Sequence, residues 1–244
     1  MKRFTLLAVL FLLKYSLVAQ SIQPSRTVGD QFLNFDFESL YTISKGKDGK
    51  TTHWTIPNTL IRYGLGDTWE VHFLIPFSKQ NHTINDDREA SVFGLDAFNI
   101  GLAKKIYTQE GLRPSLVLMT RVTLPGSDQV LASDNIAVRA SVNFGYRLNS
   151  ATKITTNIGY KYNPIIGNCA YYITYLTYNF NPKYYTYLEL LGDFDTNEFL
   201  GNDINIGFGN KLSKKLNLAL SISKSTVHDS FNFGGVFTWS VGVI

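Results

Sequence analysis

Strand-length segments recur along this chain with a regularity that few folds can use. About ten residues of alternating polarity followed by turn residues is the unit of a sandwich or of a sheet that crosses a membrane. Strands are predicted at 31–43, 52–63, 69–78, 94–106, 114–124, 135–147, 153–162, 170–180, 184–194, 203–212, 216–226 and 231–243, an even set of twelve. The hairpin TLIRYGLGDTWEVHFLIPF, Thr59 to Phe77, shows the unit. Gly64 and Gly66 permit positive φ, and Asp67 can bond its own backbone. Beyond that turn, Trp69, Val71, Phe73, Ile75 and Phe77 share one face, with Glu70 and His72 on the other. A turn centred on Gly66 predicts Arg62 directly opposite Glu70.

One hairpin does not say whether the apolar face meets a core or lipid; the connections do. The turns GLGDT, TQEGLR, LNSAT, NPK and SKK are tight, and those between them are longer, including KQNHTINDDREASV and PGSDQVLASD. Outer-membrane barrels sort their connections by end in this way. The polar face carries Gly, Asn, Ser, Thr and unneutralised Arg or Lys. In 135–147, Val138, Val142, Phe144 and Tyr146 oppose Arg139, Ser141, Asn143 and Arg147. In 231–243, Phe231, Phe233, Phe237 and Trp239 oppose Asn232, Gly234, Thr238 and Ser240. The segment AYYITYLTYNF is aromatic on both faces and leaves its phase open. Lipid satisfies no backbone group, so a spanning sheet must close on itself. Trp69, Tyr146, Tyr160, Tyr162, Tyr184 and Trp239, near strand ends, suit interfacial girdles. The prediction is all-β: a closed antiparallel up-and-down transmembrane β-barrel of about twelve strands, of the outer-membrane type, over residues 31–244.

The N-terminus, MKRFTLLAVLFLLKYSLVAQ, reads as a signal peptide over residues 1–20. Lys2 and Arg3 precede an apolar stretch, Phe4 to Leu13, that is shorter than the roughly 20 residues of a spanning helix. Lys2, Arg3 and Lys14 leave with it, so the formal charge falls from +4 to +1 and nucleic acid is not an implied partner. Residues 21–30 are expected to hang in the periplasm or to plug the lumen. A lone cysteine, Cys169, excludes an internal disulfide framework.

The string Leu60-Ile61-Arg62-Tyr63-Gly64-Leu65-Gly66-Asp67, followed by Glu70, resembles the "RYG-L-x-D…E" hairpin of the phenol-degradation meta-pathway family of outer-membrane proteins. Leu95-Asp96 with Gly101-Leu102-Ala103-Lys104 is similar to that family's next strand, and Pro114 with Leu124-Pro125-Gly126 to its strand ending in "LP-x-G". The usual Thr of "PTG" is missing. The resemblance implies a channel-type, transporter-like barrel with aromatic or other hydrophobic compounds as cargo.

Twelve strands lie between barrels filled by side chains and those with a wide aqueous channel, so a narrow or partly plugged pore is expected. The strand phases turn Arg62, Glu70, His72, Asp96, Lys104, Arg121, Arg139, Arg147, Lys161, Glu189 and Asp193 inward, a mildly cationic lining. The expected function is a narrow porin-like channel for small solutes in a Gram-negative outer membrane, without cofactor, metal or catalytic residue. Its expected partners are outer-membrane lipid, the solute, and the barrel-assembly machinery that reads a final strand. Two other classes stand beside it. One is a non-conducting scaffold barrel of an envelope complex. The other is an outer-membrane phospholipase, for which His228 and Ser230 have a two-residue spacing that places them on one face of a strand; the following Phe231 departs from the phospholipase pattern.

Overall fold

The computed structural model describes residues 27–46, 49–84, 87–125, 135–163, 167–195 and 199–242. The predicted leader, residues 21–26 after it, residues 85–86 between β3 and β4, and residues 126–134 of the β6–β7 connection lie outside the described residues. The strands are β1 (Phe32–Gly46), β2 (Gly49–Leu65), β3 (Trp69–Ile84), β4 (Asp87–Leu95), β5 (Phe98–Tyr107), β6 (Ser115–Leu124) and β7 (Ala137–Arg147), then β8 (Thr152–Asn163), β9 (Gly167–Asn179), β10 (Tyr184–Asp195), β11 (Phe199–Lys211), β12 (Leu216–Ser225) and β13 (Ser230–Gly242). All pairings are antiparallel and, apart from β3–β5 and β1–β13, join sequence neighbours; β1 pairs with β13 from Phe32↔Gly242 to Ser44↔Ser230, which closes the sheet. Both β4 and β5 pair with β3 and form the two halves of one crossing. The result is a closed barrel of twelve crossings, as the segment count predicts. Closure satisfies the edges that lipid could not. Both described chain ends lie at the end of the β2–β3, β5–β6, β7–β8, β9–β10 and β11–β12 turns. The expected long connection at 79–92 is mostly strand, because β3 runs on to Ile84 and β4 begins at Asp87, so at the opposite end only the β6–β7 connection is long.

The polarity is inside-out. Among the described residues, fifteen buried side chains are polar or charged and only ten are apolar, while Phe73, Ile158, Phe208, Leu220 and Phe233 are exposed on the outer surface. A water-soluble domain sorts the other way. On the outside, rings stack across strands, Phe35 on Trp239 at 5.6 Å and Tyr184 on Phe208 at 5.8 Å. In β9, whose sequence leaves the phase open, Tyr171 and Ile173 are buried, whereas Leu176 and Tyr178 are exposed.

Several pairings carry register shifts near strand ends, and two irregularities farther in reset the phase of the lumen face. On β2 an extra residue at Ile56–Pro57 sits opposite single residues of β1 and β3. On the β4–β5 crossing the register against β3 moves by one between Phe77↔Leu95 and Leu74↔Asn99. Pro76, which has no N–H, accepts from Asp96 N at 2.9 Å at that break. A one-residue bulge turns every later side chain to the opposite face.

Candidate functional site: the barrel lumen

The opening hairpin builds the lumen floor at the end carrying both described chain ends. Its turn closes on Leu65↔Trp69, so Arg62 pairs with His72 and Gly64 with Glu70. The predicted register, Arg62 opposite Glu70, is therefore off by two positions, because the turn is centred on Asp67 and not Gly66. An even shift keeps the face, and the two side chains still meet on the diagonal. Arg62 forks onto Glu70, with Nε to Oε1 at 2.9 Å and Nη2 to Oε2 at 2.8 Å. Glu70 Oε2 also accepts from Val28 N at 2.7 Å. The segment before β1 thus reaches into the lumen, where Val28 is buried. Gln31 N to Gly64 O and Gly66 N to Asp30 Oδ1 hold it against the turn. These contacts account for the glycines: a Cβ at Gly64 would strike the Gly29 carbonyl, and Gly66 has φ +60°.

Above this floor, Arg121 Nε donates to His72 Nε2 at 3.0 Å, and the His72 ring lies where a Cβ at Gly101 would be. The same device recurs at Tyr187 on Gly207 and Tyr171 on Gly159, cross-strand partners whose missing side chains leave the wall flat enough for a ring. The middle of the lumen is a polar belt. Asn205 Nδ2 donates to Glu189 at 2.6 Å, Asn58 Nδ2 to Glu38 at 2.7 Å, and Thr238 to Asp36 at 2.7 Å. Glu189, Asn143, Asn157 and Asn205 are fully buried, so side chains fill the lumen at this height. Toward the far end Lys161 bridges both oxygens of Asp193 at 2.6 and 2.8 Å. Tyr171 has Arg139 at 5.2 Å and Lys161 at 5.1 Å over its ring.

Of the predicted lining residues, Arg62, Glu70, His72, Arg121, Arg139, Lys161, Glu189 and Asp193 therefore stand on the lumen face. Asp96 lies at the bulge, where Ser78 donates to it at 3.3 Å. Arg147 is on the inward phase but sits exposed at the rim, its backbone tied to the Gln109 side chain. Lys104 is a correction. The bulge at Asp96 reverses the phase, so Gly101 and Ala103 face inward and Lys104 faces outward over the Trp69 ring at 4.5 Å. A lysine above a girdle tryptophan suits the interface, where the stem lies in lipid and the charge reaches water. Lining residues absent from the prediction include Asp36, Glu38, Tyr171, Tyr187 and the buried cluster Ala103, Val117 and Met119. The His228–Ser230 spacing belongs to the β12–β13 connection: His228 lies in a bend whose N–H bonds Ser225 Oγ, and only Ser230 is in a strand.

The family model described as "Putative MetA-pathway of phenol degradation" matches residues 23–241. Among solved structures, an outer-membrane channel from Pseudomonas putida F1 is similar at TM-score 0.71 and 12% identity, covering 91% of this chain and all of that one. The KdgM porin in complex with disordered oligogalacturonate is similar at TM-score 0.56 and 9% identity, over 84% and 98% of the two chains. The β domain of the Bordetella autotransporter BrkA is similar at TM-score 0.54 and 12% identity, over 86% and 99%. No curated protein matches in sequence. At these identities the structural likeness establishes the fold, which channels and an autotransporter domain share.

Proposed function

Because the chain belongs to the phenol-degradation MetA-pathway family, we propose that it is a narrow outer-membrane channel for small solutes, aromatic compounds among them. The observation that carries this reading is the lumen lining. Charged and polar side chains run along the inner face from the Arg62–Glu70 pair at one end to the Lys161–Asp193 pair at the other. A wall of this kind suits a path for solutes in water; an anchor has no need of it. The family and the similarity to a Pseudomonas outer-membrane channel support the same reading. Export by the leader at residues 1–20, insertion by barrel-assembly machinery, and placement of the chain-end side in the periplasm complete the proposal.

A scaffold barrel is the second reading, favoured by the fully buried belt at Glu189, Asn143 and Asn157. Liposomes carrying the refolded protein separate the two. A channel admits phenol and small sugars faster than protein-free liposomes do. A scaffold leaves the rates unchanged.

A further inference from the structure

One hydrogen-bonded row of the sheet runs Arg62↔His72↔Gly101↔Arg121↔Arg139↔Lys161 across β2, β3, β5, β6, β7 and β8. Strands in such barrels tilt by about 35–45°, so a row of paired residues climbs the wall. Arg62 lies near the turn end of β2, and Lys161 near the opposite end of β8. The last three members of the row are consecutive cations on the lumen face. Side chains directly opposite in an antiparallel pair are about 5 Å apart at Cβ, and like charges there are destabilising. Arg139 stands between Arg121 on one side and Lys161 on the other, so it carries that repulsion twice.

Its neighbours are partly relieved, Lys161 by Asp193 and Arg121 by the His72 nitrogen. Arg139 rests against the Tyr171 ring and, among the described residues, forms no ion pair with a carboxylate. Three cations held together against their own repulsion, on a wall facing a solute path, favour an anion between them. Met119 and Ile173, on the same face two positions from Arg121 and Tyr171, add apolar wall beside them.

We propose that Arg139, flanked by Arg121 and Lys161, is the binding site for the carboxylate of a small organic acid, aromatic acids included. On the channel reading, the solutes passed are therefore anions as well as neutral arenes. The carboxylate accepts from Arg139 and draws on the charge of Arg121, while Lys161, already held by Asp193, borders the site. Neutral phenol has no such anchor.

Calorimetric titration of the detergent-solubilised protein with benzoate, and separately with phenol, tests the site without requiring conduction. Benzoate binds saturably and more tightly than phenol, Arg139→Gln weakens it by about tenfold or more, and Arg139→Lys retains most of the affinity. Because it removes repulsion, Arg139→Gln unfolds at no lower urea concentration than the parent. Absence of saturable benzoate binding to the parent protein, or equal binding by Arg139→Gln, overturns the site. A protein that binds benzoate yet admits no solute into liposomes refutes the channel and keeps the site.

Discussion

Removing Arg62 should damage the barrel more than removing the charge on both sides of its pair. Glu70 is 0% exposed and receives two hydrogen bonds from the Arg62 guanidinium and one from the Val28 amide. Arg62→Ala leaves that carboxylate in place with the Val28 amide as donor and the His72 Nδ1 at 3.5 Å from Oε1, neither of which carries the lost guanidinium charge. Breaking a buried pair from one side costs about 3–5 kcal/mol, since the remaining charge is desolvated and uncompensated. In the double variant Arg62→Ala with Glu70→Gln, the side-chain carbonyl still accepts from Val28 and no charge is stranded. Its cost is that of lost neutral and charged hydrogen bonds, about 1–2 kcal/mol. Urea unfolding in lipid vesicles, followed by the fluorescence of Trp54, Trp69 and Trp239, gives both values. A double variant as unstable as the single one, or a single variant within 1 kcal/mol of the parent, refutes the reasoning.

Orientation is open to cysteine labelling in intact cells after Cys169→Ser: a thiol-reactive, membrane-impermeant probe should reach Asp229→Cys in the β12–β13 connection and not Ser150→Cys in the β7–β8 turn. The reverse pattern would invert the barrel. Deleting residues 230–242 removes β13, the partner of both β1 and β12, and should abolish insertion because it opens two sheet edges. A truncated protein that still inserts and resists heat in detergent would contradict the role given to that closure.

Most of the fold is legible because alternation in this chain is nearly literal. Arg139, Ser141 and Asn143 face the lumen and Val138 and Ile158 lie exposed outside, as their parity predicts. Parity fails where a residue is added. Nothing in Asp96-Ala97 announces a bulge, although Pro76 on the neighbouring strand marks a place where a donor is missing, and an uninterrupted count of alternation turns Lys104 inward. The hairpin register missed by two positions for a related reason: GLGD fits a turn centred on either Gly66 or Asp67, and the alternation on both arms is the same for each. Asp36 and Glu38 were within reach, since they alternate with Phe35 and Phe37, and the same parity that places Arg121 inward also places Val117 and Met119 there. The contact of Val28 with Glu70 joins residues 42 apart in sequence. It has no periodic signature, and only the crowding of glycines around Arg62 hints that backbone approaches backbone there.

The central claim is that the polar lumen is a path. Planar-bilayer recording of the purified, refolded protein tests it most directly. Discrete, small conductance steps are predicted, each contributed by one inserted barrel. Membranes that carry inserted, heat-resistant protein and yet pass no current above the lipid background would contradict the channel.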